Sequence, residues 1–269
     1  MSVFQTYSQF YDSLYQSKDY LAEVKFIRSV IKKFSPIKVK KVLSLGCGTC
    51  NHDILMAKKG YQIAGLDQSA TMLSRAQQKI KSEGLSNKIS LHQGDVRYSN
   101  MKDKFDFAMA MFNVIGYQIT NDDINATLKN VSSNLKPGGL FLFDCWYAPA
   151  VLADPPTDRV KEIKKSKSRI IRLTQSILQH EKNIVQIQFH VFSLVGKKIT
   201  SESAETHHMR YWTLPELSNL LEINNLQLVN ACPFLKIDSE VSPSEWDIFI
   251  VAQKKKWELV STSPQVKTR

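Results

Sequence analysis

Gly46 and Gly48, in Leu45-Gly46-Cys47-Gly48-Thr49, close an aliphatic run that begins at Lys41, and Asp67 closes the next apolar run. A strand that breaks into Gly-x-Gly lets backbone approach a ligand, because glycine has no Cβ and tolerates positive φ. An acidic side chain about 20 residues on, at the tip of the second strand, can accept hydrogen bonds from both hydroxyls of a ribose. The pair points to an adenosine-containing cofactor. A dinucleotide fingerprint would want a third glycine where Asn51 stands, which weakens a nicotinamide reading.

Further motifs follow in order: Gly65-Leu66-Asp67-Gln68-Ser69, His92-Gln93-Gly94-Asp95-Val96-Arg97, Phe105-Asp106-Phe107-Ala108-Met109-Ala110 and Leu135-Lys136-Pro137-Gly138-Gly139. With the glycine loop they resemble the class I S-adenosylmethionine (SAM) methyltransferases. The resemblance implies that Gly46 and Gly48 pass under the methionine part, Asp67 takes the ribose, Met72 packs on adenine, and Asp95 with the Val96 amide reads the adenine edge. It also implies that Tyr20, Leu45, Thr49, Gln68 and Met111 join the cofactor site. Two positions depart from that family: Ser44 stands where Asp or Glu is usual, and Cys50 where Gly is usual. Both bear on contacts to the cofactor's amino group.

The 269 residues are 43% hydrophobic, enough for one large core, with or without an insertion. No apolar run reaches the roughly 18 residues of a membrane span, and the N-terminus has Tyr and Gln where a signal peptide would be apolar. A cytoplasmic enzyme is expected. Four cysteines are too few and too irregular for a disulfide framework. Cys47-Gly48-Thr49-Cys50 is a C-x-x-C after a strand, which raises a redox reading, but the surrounding motifs account for the same loop. His52 and His92 lack zinc-ligand spacing. The net charge of +11 gathers in 159–172 and at Lys254-Lys255-Lys256. Such stretches serve either as solvated faces or to attract a polyanion. The 159–172 stretch is aliphatic between its charges, so a phosphorylated metabolite fits it better than nucleic acid.

These residues need a frame. Helical spacing is expected over 4–34, broken near Asp19 and ended by Ser35-Pro36. Strands are then expected at Lys41 to Leu45, Gln62 to Leu66, Ile89 to Gln93, Phe105 to Ala110 and Leu140 to Cys145. Helices intervene from about His52, from Ser69 to Ser82 and from Asn121 to Leu135. This alternation predicts an α/β fold, a Rossmann-like doubly wound, mostly parallel sheet of about seven strands, with sites at the carboxyl ends of its strands. Asp106 is expected to be structural. Beyond Asp144, Ser168 to Leu178, Asn183 to Val195 and Ser203 to Trp212 predict an antiparallel insertion that covers the active site. Leu214 to Ile223 then reads as a helix, and Leu226 to Leu235 and Trp246 to Gln253 as returning strands. The expected organisation is a helical lid over 1–38, a SAM-binding core over 39–150, the insertion over 151–212, a return to the sheet over 213–254 and a basic tail over 255–269.

Methyl transfer is an in-line displacement that needs no metal. Proximity alone, with the acceptor held about 3 Å from the methyl carbon, can supply about 7–11 kcal/mol. Tyr7, Tyr11, Tyr15 and Tyr20 would offer phenol groups to a sulfonium and an amine. Tyr11-Asp12-x-x-Tyr15, His92-Gln93-Gly94-Asp95, Met111-Phe112-Asn113-Val114-Ile115-Gly116-Tyr117, Trp146-Tyr147 and His208-Met209-Arg210-Tyr211 are similar to the N,N-dimethyltransferases of nucleotide-linked amino sugars. That similarity implies an acceptor pocket with Tyr11, Trp146, Tyr147 and Arg210, catalytic parts for Tyr15, Tyr117 and His208, and a diphosphate partner in 159–172. A strand histidine that orients Tyr117 is the alternative part for His208. The expected partner is a small, phosphate-bearing molecule, with a homodimer as an option and neither nucleic acid nor membrane. Transfer to a hydroxyl or an amino-acid amine, and SAM binding without catalysis, are the competing functions.

Overall fold

The computed structural model describes residues 11–12, 14–165 and 168–256. Helix α1 (Tyr20–Phe34) is capped by Asp19, whose carboxylate accepts from the Ala22 N–H at 2.9 Å, and Lys32 and Lys33 complement its C-terminal dipole. A seven-stranded sheet follows: β1 (Lys41–Leu45), β2 (Gln62–Asp67), β3 (Ile89–Gln93), β4 (Phe105–Ala110), β5 (Leu135–Trp146), and after an excursion β10 (Leu226–Pro233) and β11 (Asp247–Lys254). Its order is β10-β11-β5-β4-β1-β2-β3. Strands β1 to β5 pair in parallel, and β11 joins β5 and β10 antiparallel. Helices α2 (Asn51–Lys58), α3 (Ala70–Ser82), α4 (Asn121–Asn134) and α6 (Leu214–Ile223) cover the faces.

Two apolar clusters lie on the sheet. One joins α1, α2 and α3 to Val42, Phe107, Met109 and Phe249; the other joins α4 and α6 to Leu43, Ala108, Phe141 and Ile250. Side chains of consecutive strand residues point to opposite faces, so a strand apolar throughout, like β4, is buried on both. Asp106 is the polar exception: its carboxylate accepts from the Lys40 and Lys41 N–H groups, both at 2.8 Å, and from Lys136 Nζ at 2.6 Å. It staples β1 to β4.

The second sheet is the meander β6 (Arg159–Lys165), β7 (Ser168–Gln179), β8 (Ile184–Val195) and β9 (Lys198–Arg210), with α5 (Ala148–Ala153) leading into it. Three details differ from the sequence expectation. β6 was not expected as a strand, because its alternating charges hide the period; charge is how an exposed edge strand avoids further pairing. β9 begins five residues before Ser203, because Gly196 at φ +60° closes a tight hairpin pairing Val195 with Lys198. β5 starts at Leu135, since Gly138 at φ +79° and Gly139 carry the chain through a register shift instead of ending the pairing. A Cβ on Gly139 would meet the Lys136 carbonyl oxygen at 2.9 Å. Of the tyrosine stripe, Tyr7 lies outside the described residues, as does the tail from 257. No helix among the described residues is long and apolar enough to cross a membrane.

Candidate active site

After β1, β2 and β3 the chain crosses to β4 on the other side of β1, so the order reverses between β1 and β4, and a crevice opens beyond their carboxyl ends. Gly46 and Gly48 turn there at φ +61° and +54°. A Cβ on Gly46 would come within 2.6 Å of the Val114 side chain, and one on Gly48 within 3.4 Å of Met72. The crevice holds a cavity of about 350 Å³, lined by Gly46, Gly48, Asp67, Gln68, Met72, Gly94, Asp95, Val96, Arg97, Met111, Val114, Gln118, Ile119 and Asp123, and by Tyr11, Phe112 and Tyr117. Its size is that of a small-molecule site.

Asp67 ends β2 at the rim of this cavity. Its carboxylate accepts from the Gly48 N–H at 2.8 Å and the Ser69 N–H at 2.9 Å. Burial pushes the carboxyl above its usual range, and these N–H groups pull it back in part. Asp95 is gripped by Arg97, which donates from Nη2 to Oδ2 at 2.6 Å and from Nε to Oδ1 at 3.0 Å, and which also pairs with Asp123. The Arg97 guanidinium holds Asp95 below the usual carboxylate range. Three residues expected at the cofactor do not line the cavity. Leu45 is core, 1% exposed. Thr49 turns its hydroxyl to Asp12 at 2.8 Å. Tyr20 packs edge-on to His52, ring centroids 5.0 Å apart, and burial pushes its phenol up to about 12.

A second cavity of about 230 Å³ shares Tyr11, Phe112 and Tyr117 with the first. Its other walls are Tyr15, Lys18, Asn113, Asp144, Trp146, Ile187, Phe189, His207, Met209, Phe234 and Asp247. Phe112 and Asn113 carry the wall between the two with φ of +73° and +56°. Two successive non-glycine residues in that region store about 1–3 kcal/mol each. The turn sets the Phe112 ring edge-on to Tyr15, centroids 4.8 Å apart at 84°.

The sequence expectation for β9 is displaced by one residue. His208 is exposed and borders a separate hollow with Lys182 and Arg210. His207 is the inward histidine, 2% exposed. Its Nδ1 lies 2.7 Å from the Tyr117 hydroxyl, and its Nε2 lies 3.4 Å from Glu205 Oε2. Side chains alternate across a strand, so a single-residue shift moves a group from the cavity to solvent. Arg210 also misses the cavity: it donates to Asn121 at 2.9 Å, pairs with Glu216 and lies over Trp212. Tyr147 packs into the core beside α6 and bridges to Trp212. Tyr11, Tyr15, Tyr117 and Trp146 are brought together as expected. Asp144, Asp247, Asn113, Phe112 and Lys18 carried no assigned part in the sequence. A carboxylate within the apolar run Leu140–Trp146 was the available signal.

The N-terminal segment is moored by Asp12. Its Oδ1 accepts from Lys79 Nζ and Thr49 Oγ1, both at 2.8 Å, and Lys79 also donates to Asn51 Oδ1 at 2.9 Å. These bonds hold the Asp12 carboxyl below its usual range against the opposing effect of burial. Within the basic stretch, Lys161 and Arg172 face each other across β6 and β7. Lys161 donates to the Leu14 carbonyl at 2.6 Å and Arg172 to the Tyr15 hydroxyl at 3.2 Å.

The two departures in the glycine loop have local answers. Cys50 takes the left-handed conformation, φ +62°, that glycine would occupy, and is fully buried. Ser44 hydrogen-bonds the carboxyl of Asp53, which is 1% exposed and which burial pushes up to about 6. Cys47 and Cys50 are free thiols raised in pKa, Cys47 by its hydrogen bond with Cys50 and by burial, the opposite of a reactive thiolate.

Residues 42–139 match the methyltransferase domain family. The dTDP-3-amino-3,4,6-trideoxy-alpha-D-glucopyranose N,N-dimethyltransferase of Streptomyces venezuelae is 27% identical over 183 residues, 67% of this chain and 74% of that one. YqeM of Bacillus subtilis (strain 168), named as a prospective methyltransferase with no acceptor stated, is 28% identical over 255 residues, 94% of this chain and 98% of its own. Among solved structures, an S-adenosylmethionine-dependent methyltransferase from Clostridium acetobutylicum ATCC 824 superposes with a TM-score of 0.78 at 23% identity, covering 95% of this chain and 100% of that one. With a glycine cradle that a Cβ would fill and a carboxylate at its rim, residues 42–139 form a methyltransferase domain with S-adenosylmethionine as its cofactor, and the chain is similar to the N,N-dimethyltransferases of dTDP-linked amino sugars.

Proposed function

We propose that the protein methylates an amino group of a nucleotide-linked amino sugar or a similar small anionic metabolite. The observation that carries this reading is the wall of Tyr11, Phe112 and Tyr117 common to two cavities, one sized for a cofactor and one smaller, aromatic and acidic. SAM, when bound, supplies an electrophilic methyl carbon on a sulfonium. Gly46 and Gly48 leave room for its methionine part, Asp67 takes the ribose hydroxyls, and Met72, Val96 and the Asp95–Arg97 pair surround adenine. The acceptor enters the second cavity, where aromatic faces favour a cationic nitrogen. The nearness of Lys161 and Arg172 to Tyr15, a wall of that cavity, supports the basic stretch as the partner of a diphosphate. The N-terminal segment serves as a lid, with Asp12 as its latch.

Incubation with SAM and a panel of nucleotide-linked amino sugars, followed by mass spectrometry, tests this reading. Gains of one or two methyl groups are expected. No gain on any amine, with transfer to hydroxyl counterparts, would replace it.

A further inference from the structure

The second cavity contains a buried polar group that the proposed function leaves unused. Asp144 interrupts the apolar run of β5 and is 4% exposed. Its Oδ2 accepts from the Asn113 N–H at 2.9 Å, while its Oδ1 is buried with no hydrogen-bond partner among the described residues. Asn113, 6% exposed, likewise has no partner for either side-chain polar atom among the described residues. Buried polar atoms without partners cost free energy, and the two residues that carry these three, Asp144 and Asn113, both line the second cavity, where a polar ligand would relieve that cost.

The charges around them state its sign. Asp247 from β11 lines the same cavity, and Glu23 from α1 lies near. The cation facing them is Lys18, which pairs with Glu23 and lies over the Phe112 ring, 4.5 Å from its centroid. His52 from α2 shares Glu23 at 2.6 Å. From the insertion, His207 faces Glu205 and Tyr117, and Arg172 engages Tyr15. Among the described residues Asp144 and Asp247 thus share Lys18 with Glu23, so three carboxyl groups face one lysine; Trp146 hydrogen-bonds Asp247, and aromatic rings surround the remaining space.

We infer that Asp144, in the cavity it lines with Asp247 and Asn113, receives the acceptor's amino group as an ammonium and takes a proton from it. The inference rests on the proposed N-methylation. In the first step one N–H proton passes from R–NH3+ to the Asp144 carboxylate, leaving R–NH2 with a lone pair. The nitrogen then forms an N–C bond as the donor's C–S bond breaks, with that electron pair staying on sulfur. The product R–NH2–CH3+ carries one positive charge, and the proton on Asp144 leaves to water. Asp144 suits the step because burial, reinforced by Asp247 and Glu23, pushes its carboxyl up to about 7, where proton exchange with an amine at neutral pH is efficient.

Two measurements on the full chain test the inference. The first uses methylammonium chloride as an ammonium probe, compared with potassium chloride at equal ionic strength, and follows thermal stability in the presence of S-adenosylhomocysteine at pH 8. Wild type should be stabilised by methylammonium, and Asp144→Asn and Asp144→Ala should not; an equal response in all three, or none in wild type, overturns the inference whatever the substrate. The second follows the pH dependence of kcat on whichever amino sugar of the panel is methylated. Asp144→Asn should lose about 10²-fold in kcat and the limb near neutrality, with His208→Ala unchanged. An unaltered limb overturns proton transfer to Asp144. A methylammonium response without methylation of any amino sugar would sink the substrate reading and leave the ammonium site standing.

Discussion

The Tyr117 hydroxyl and His207 Nδ1 lie 2.7 Å apart, and Glu205 approaches the other ring nitrogen from the far side. With Nε2 carrying its proton toward Glu205, Nδ1 accepts from the phenol, and Tyr117 is fixed in the wall between the cavities. His207→Ala should therefore lower kcat/KM by roughly tenfold or more, the loss expected for a buried hydrogen bond to a positioned group. His208→Ala should stay within about twofold, as exposed substitutions usually do. Steady-state kinetics on the pair decides between the two histidines; a larger effect at His208 would contradict the register of β9.

At Gly46 a methyl group meets Val114 at 2.6 Å, and the backbone is left-handed. Gly46→Ala should cost about 1–2 kcal/mol of stability through conformation alone and close the cofactor cavity from below. Calorimetry with SAM should show affinity lost well beyond that stability change. Binding as in wild type would mean the cofactor does not pass under this loop.

Asp67 presents its carboxylate at the rim. Removing it should weaken SAM by about 1.5–3 kcal/mol, roughly 10- to 100-fold in Kd, the range for hydrogen bonds to a charged group. Asp67→Ala and Asp67→Asn should be compared by calorimetric titration. An unchanged Kd in both would remove Asp67 from the ribose.

Asp12 and Lys79 join the N-terminal segment to the glycine loop across a partly exposed network. Lys79→Ala leaves Asp12 with its Thr49 and Asn51 partners but without a cation. It should raise KM for both substrates several-fold while circular dichroism stays as in wild type, because the segment that carries Tyr11 is loosened and the sheet is not. Equal KM values would show that the segment is held by its apolar contacts, such as Leu14 against Ile163 and Val191.

Asp144 also makes a stability prediction with a definite sign. Its folded pKa, about 7, exceeds the reference 3.8, so the folded protein binds the proton more tightly than the unfolded chain. Stability contributed by the protonated carboxyl is complete below about pH 4 and is lost as pH rises through 7. Asp144→Asn should consequently gain stability over wild type across that interval, by at most about 4 kcal/mol above pH 7. Denaturant midpoints at pH 4, 6 and 8 would measure the difference. A gap that shrinks with rising pH would mean that Asp144 is paired in the folded state.

The sheet was legible in the residues because its signals are local. Aliphatic runs such as Val42–Leu45 and Phe105–Ala110 alternate with amphipathic helices, and Gly46, Asp67 and Asp95 fall at strand ends where a parallel sheet exposes its crevice. The helix starts are also set locally, by Ser69, Thr120 and Thr213 as caps one residue before each helix, so the expected start at Ser69 falls on the cap. β6 was not legible, since an edge strand made of charges looks like a solvated loop.

The acceptor side depended on contacts between distant segments. Which of two adjacent histidines faces inward follows from the pairing of His207 with Ile187, fixed by a hairpin turn ten residues away. Asp144 comes to line the second cavity because β11 brings Asp247 alongside and the left-handed turn at Phe112 and Asn113 forms a further wall. Local periodicity by itself thus determined the parallel sheet and the strand ends that frame the first cavity, though not that Leu45, Thr49 and Tyr20 stay out of it. The second cavity was decided by tertiary register, because a one-residue shift on a pleated strand sends every side chain to the opposite face, and the largely polar β9 carries no hydrophobic alternation to say which face is buried.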